Sequence, residues 1–350
     1  MFKCLQVGFI NEVNPLSNGI VMRDLGLDAI KAFATLLVIV GHVIQYTNVD
    51  FDHSLFFKVI YSFHMPIFMF ISGYLMPKIT EEGFLLLKFK QLVVPFILWS
   101  LLLISLNNPV LIKTRDTHQF IDRFYQVFLH PDDGALWFLW VLFLNFLVFT
   151  LFEGKYRIIL SIVTIATLTF LQFINRDFTL FGLGLFRWHY FFFVFGFLAR
   201  NDGLLNKIKI NTSVILIVTL ALMTQWDRVA ITSFFGIAIN SNVLAALVTL
   251  IVKYLCAVGA IIVIFPLKEK LKITNGWINI LAVDSLGYYA TQFLFFGVFA
   301  LVWTMKDLIS YLDQLYIFIL ISTGSTLLIV FLKRYSFTKK YLLGKLGKKI

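Results

Sequence analysis

Ten apolar runs, most of them about long enough to cross a bilayer, constrain this chain more than any other feature. A spanning helix needs roughly 17–25 residues. Runs of that order fall at about 29–47, 59–76, 84–106, 135–152 and 158–174. Five more follow at about 186–199, 212–226, 243–266, 277–303 and 315–331, the sixth and seventh of the ten being short. Charged residues make up 14% of the 350, against about 25% in a soluble domain. Lipid offers backbone N–H and C=O groups no partner, so such runs must pair them internally as helices. The expected fold is an all-α integral membrane protein of about ten transmembrane helices, with both termini on one side.

Charge decides which side. Of the 30 Lys and Arg, seven fall in one alternate set of loops: Lys58, Lys113, Arg115, Arg123, Arg176, Arg228 and Lys306. Arg187 and Lys253 fall deeper inside apolar runs, and the remainder occupy the terminal segments and the other loops, counting Lys31, Lys88 and Lys90 at the ends of their runs. The positive-inside rule then places both termini in the cytoplasm and the protein in the inner (cytoplasmic) membrane, multi-pass. The expected organisation is a cytoplasmic N-terminal segment (1–22), a transmembrane domain (23–335) and a basic cytoplasmic tail (336–350). Lysines of the tail, Lys345 among them, are expected to set topology and contact anionic lipid. The long outward loop at about 107–134 is expected to hold a short amphipathic helix. A net charge of +11 dispersed over short loops and the tail is not a nucleic-acid footprint, and two cysteines, Cys4 and Cys256, make no disulfide framework. The sequence contains no internal repeat, and the first apolar run is expected to act as the targeting signal.

Polar groups inside a bilayer are expensive, so each needs a reason. Lys31 and His42 are eleven residues apart in the first run, about 16 Å of rise and three turns on a helix. They share one stripe, joined within a turn by Asp28. His64 in the second run and His189 in the sixth are expected at a similar depth to His42, nearer the outer face. A histidine in a span is often only hydrogen-bonded across helices, and that reading stays open for His64 and His189. No His-x-x-x-His pattern or carboxylate partner accompanies the three, so no metal is expected. Lys31, Lys88 and Lys90 cluster at the cytoplasmic ends of their runs, where bases suit a phosphate-bearing ligand, although most bases there anchor topology. Lys253 needs a partner, either structural or ligand. Pro66 and Pro95 free backbone carbonyls within spans, and Ser72-Gly73 permits close helix approach.

Several of these elements resemble one family. Arg23…Leu27-Asp28…Lys31-Ala32…His42 looks like a basic residue, ten intervening positions and a histidine in a first helix. Phe63-His64-Met65-Pro66-Ile67-Phe68, Lys88…Pro95-Phe96, Ala135-Leu136-Trp137-Phe138-Leu139 and Ser285-Leu286-Gly287-Tyr288-Tyr289 resemble its later motifs. Together they resemble the acyltransferase-3 family of ten-span membrane acyltransferases, in its sugar O-acetylase branch. There are departures: the late motif usually continues to a histidine, where Thr291-Gln292 stands here, and Lys31 replaces a commoner arginine.

The resemblance implies transfer of an acetyl group from acetyl-CoA to a hydroxyl of a cell-surface glycan, such as lipopolysaccharide O-antigen, capsule or exopolysaccharide. Lys31, with Lys88 and Lys90, would hold the donor phosphates, Asp28 would orient Lys31, and His42 would act as general base. His64 would be a second base, an orienting group or an oxyanion partner. Trp137, Arg187 and His189 are candidates for the acceptor, a glycan or lipid-linked glycan met within the membrane, with membrane lipids as the other partners and the oligomeric state open. Two other classes remain. A transporter or flippase for an anionic or glycan-lipid substrate predicts inverted repeats, and an envelope assembly role leaves the Lys31–His42 line unexplained.

Overall fold

The computed structural model describes residues 24–107, 117–131, 134–152, 154–175, 180–271, 276–302 and 310–346. Expectations for the segment 1–22, Arg23, Lys113, Arg115, Arg176, Lys306, Lys348 and Lys349 concern residues outside this set. Every apolar run forms helix: α1 (Leu25–Thr47), α2 (Leu55–Tyr74), and α3 (Phe84–Lys88), which continues through a π-helical turn, Phe89–Val93, into α4 (Val94–Asn107). The loop after α4 contains the amphipathic helix α5 (Thr117–Leu129). There follow α6 (Trp137–Leu151), α7 (Arg157–Ile174), α8 (Leu183–Asn201), α9 (Thr212–Gln225) and α10 (Asn242–Ile264). The chain ends in α11 (Gly276–Val283), α12 (Ser285–Val302), α13 (Tyr311–Leu332) and α14 (Ser336–Tyr341). Among the described residues the only sheet is a hairpin pairing Ser233–Phe234 with Ile237–Ala238.

This is an all-α integral membrane protein. Among the described residues, seven helical stretches are long and apolar enough to cross a bilayer by length and composition. Helices α6 and α9, of 15 and 14 residues, rise only about 21–22 Å. The run at 277–303 is not one helix but two, α11 and α12, meeting at Asp284. The backbone ladder still straddles that residue, since its N–H donates to the Ile280 carbonyl and its carbonyl accepts from Tyr288. Helix α7 buries only Arg157 and Ser161. Its exposed Ile159, Ile162, Val163, Phe170 and Phe173 would be an aggregation patch in water and are ordinary in lipid.

Local chemistry starts the helices where the sequence turns polar. Asp24 caps α1, its carboxylate accepting the Gly26 and Leu27 N–H groups at 3.0 Å. Ser310 and Asp313 close a capping box on α13. Helix α1 is the hub, packing against α2, α11, α12 and α13. The closest crossing joins α2 and α8 through two glycines. A Cβ on Gly73 would overlap the Phe193 carbonyl, and one on Gly196 the Phe70 carbonyl. Small residues at such a crossing let the backbones touch, which is how helices gain packing energy where lipid supplies no hydrophobic drive. Gly196→Leu is therefore expected to destabilise the fold by about 1–3 kcal/mol, read as a lower Tm of the detergent-solubilised protein. A wild-type Tm would contradict this packing.

Candidate active site

A cleft of about 120 Å³ opens between α1, α2, α3, α6 and the α11–α12 junction. One stripe of α1 forms its first wall: Lys31, Thr35 and Val38 line it in successive turns, and Ile39 adjoins them. His42 follows Val38 by one turn, about 16 Å of rise from Lys31, and does not itself line the cleft. The mouth is polar, with Lys31, Lys88, Gln91 and Ser285 on its walls. The middle is apolar, faced by Ile71, Phe138, Leu142 and Phe146. Tyr289 and Gln292, both from α12, carry the lining to the His42 end.

The two mouth lysines are held differently. Lys31 lies 3.9 Å from Asp28, with both side chains largely sheltered. Lys88 is buried at 3% exposure, its ammonium 4.4 Å from the centre of the Phe146 ring and 5.1 Å from that of Phe84. Ring faces of this kind attract a desolvated cation. Lys90 is exposed and does not line the cleft.

At the far end, Nδ1 of His42 lies 3.2 Å from Oε1 of Gln292. Gln292 is wholly buried, and its Nε2 donates to the Tyr289 carbonyl at 3.1 Å. That bond assigns the amide: Oε1 faces the ring, so Nδ1 carries the proton and donates. The imidazole is held in one tautomer with the Nε2 lone pair available. Phe293 at 5.0 Å and Phe296 at 6.2 Å pack around the ring. Tyr289 is itself fixed, its hydroxyl donating to the Ala135 carbonyl at 2.8 Å and accepting from the Phe138 N–H at 3.3 Å.

His42 and His64 both pack against Tyr61, with ring centroids 6.5 and 4.7 Å from it. His64 is buried, and its Nδ1 donates to the Ile60 carbonyl at 2.8 Å. His189 does the same with Leu185 and packs 4.9 Å from Trp137. Arg187 donates to Gln172 and, at 3.4 Å, to Thr169 on α7. None of His64, Trp137, Arg187 and His189 lines the cleft. Lys253 has a structural partner: Nζ donates to the Arg228 carbonyl at 2.7 Å and lies 5.6 Å from the Trp226 ring. Sequence reasoning left Gln292 without a role. The available signal was a lone amide deep in an apolar helix, a costly placement that calls for a partner.

Apolar helices of spanning length around a polar-mouthed cleft define a multi-pass membrane protein. Within that class the chain belongs to the acyltransferase-3 family, whose acyltransferase domain matches residues 24–334. It is similar to nodulation protein NolL of Mesorhizobium japonicum, 34% identical over 131 residues, which cover 33% of this chain and 32% of that protein. It is also similar to nodulation protein NolL of Sinorhizobium fredii, 39% identical over 100 residues, 26% of this chain and 27% of that one. The matches thus span about a third and a quarter of the relatives' lengths. No solved structure matches.

Proposed function

We propose that this acyltransferase moves an acetyl group from cytoplasmic acetyl-CoA to a hydroxyl of a cell-surface glycan, with His42 as general base. The observation that carries the reading is one cleft with Lys31 and Lys88 at its mouth and, at its end, Gln292, which is hydrogen-bonded to His42 behind it. A polyanion is attracted to the mouth, where charge-assisted hydrogen bonds to its phosphates are strongest. The apolar middle suits the uncharged arm that carries a thioester. The positive-inside charge pattern puts the mouth in the cytoplasm, where acyl-CoA is made, and His42 toward the side where envelope glycans lie.

The chemistry balances on one imidazole. Nε2 of His42 takes the proton of the acceptor hydroxyl as that oxygen attacks the thioester carbonyl. The carbon–sulfur bond then breaks, and the departing thiolate receives the proton. Gln292 accepts from Nδ1 throughout, which keeps the ring oriented as its charge appears. Asp28 steadies Lys31 and is too far along the helix to touch His42. His64 packs against the same Tyr61 as His42, suited to the acceptor side.

Donor binding tests this directly. Lys31→Ala and Lys88→Ala are each expected to weaken acetyl-CoA binding about tenfold or more, the worth of a hydrogen bond to a charged group. Calorimetry on purified protein reads the change. Wild-type affinity in both variants would remove these lysines from the donor site.

A further inference from the structure

The chain beyond α14 turns back into the protein, where each of four consecutive residues has its own anchor. The Leu342 carbonyl accepts the indole N–H of Trp99 on α4 at 2.8 Å. The Leu343 side chain is 1% exposed and lies where a side chain on Gly287 of α12 would reach. Gly344 adopts φ +64°, and a Cβ there would overlap the Gln91 carbonyl. Pro95 has no N–H to offer the Gln91 carbonyl one turn back, so the tail approaches the helix at its altered turn. Lys345, 8% exposed, pairs with Oδ1 of Asp284, and Lys333 pairs with Oδ2 of the same carboxylate.

Asp284 is 1% exposed and sits at the junction of α11 and α12. A buried carboxylate requires such partners. Burial pushes the Lys345 ammonium down to about 8, with Asp284 opposing. Two lysines on one carboxylate leave a net positive charge beside the mouth. The residues touched are those of the cleft: Gln91 lines one wall, and Ser285, next to Asp284, lines the other. The segment also lies outside the stretch matched by the family domain, which ends at residue 334.

We propose that Leu342–Lys345 is a strap across the mouth end of the cleft, and that Asp284, through Lys345, is a positioning residue holding Gln91 and Ser285 where the donor binds. The proposal rests on the reading of the cleft as the donor site. The strap replaces a rigid wall: it ties the π-helical turn and α4 to α12 and the α11–α12 junction with one ion pair, one hydrogen bond, one apolar contact and one glycine contact. Loss of any of them lets the walls part at the mouth while leaving His42 and Gln292 in place.

The test uses full-length protein in detergent with Lys345→Met and Gly344→Val, and Lys345→Arg as the conservative variant. A Ser285→Cys reporter is labelled by a water-soluble maleimide, counted over the same chain without the reporter. Both disruptive variants are expected to speed labelling several-fold. Both should also raise KM for acetyl-CoA about tenfold, the size of a coupling between contacting groups, with kcat near wild type. Lys345→Arg is expected to restore most of both. Unchanged labelling would overturn the strap, and a faster label with wild-type KM would overturn its positioning role. A wild-type chain that binds no acetyl-CoA would instead defeat the donor reading, and the labelling result would still decide the strap.

Discussion

Replacing His42 by alanine is expected to lower acyl transfer by about 10²–10⁴-fold, the contribution of a positioned general base. His42 is joined to the end of the cleft through Gln292, whereas the Nδ1 of His64 is committed to the Ile60 carbonyl. The loss should appear in kcat, because Lys31, the proposed contact of the donor phosphates, lies about 16 Å away along the helix. Packing should survive, since His42 is only half-buried and its polar contact is the one to Gln292. Single-turnover kinetics with saturating acetyl-CoA measures the effect. A kcat within a few-fold of wild type would move the base elsewhere.

The second large effect is expected at Gln292. Leucine there removes the acceptor that fixes the His42 tautomer and leaves the ring free to turn. Misplacement of a catalytic group by about 1 Å costs on the order of 10²-fold, so Gln292→Leu should lower kcat by about 10–100-fold, less than His42→Ala. The double variant separates a coupled pair from two independent losses. If Gln292 acts only through His42, the double variant should be no slower than His42→Ala alone. Multiplicative losses would give Gln292 a role of its own, such as direct contact with the thioester.

The sequence carried the membrane fold because lipid allows few alternatives. Each apolar run forms helix, and the Asp28–Lys31–His42 stripe survives because helical periodicity is rigid. Side-chain partners were less legible. Nothing in the run at 277–303 marks the interruption at Asp284, because the lysines that neutralise the carboxylate come from residues 333 and 345, far along the chain. Lys345, expected as a lipid-facing tail base, is buried for the same reason. Lys88 and Lys90 look alike in sequence, yet the π-helical turn Phe89–Val93 accompanies one buried and one exposed side chain. The three histidines looked equivalent by depth. Only His42 reaches the cleft's end through a partner, and that partner, Gln292, comes from 250 residues away.

The most direct test of the central claim is mass spectrometry of surface polysaccharide from cells expressing the wild-type chain, the His42→Ala chain at equal protein level, or neither. The account predicts O-acetyl groups on the glycan with the wild-type chain alone. Acetylation retained at the wild-type level with His42→Ala, or unaffected by removal of the chain altogether, would contradict it.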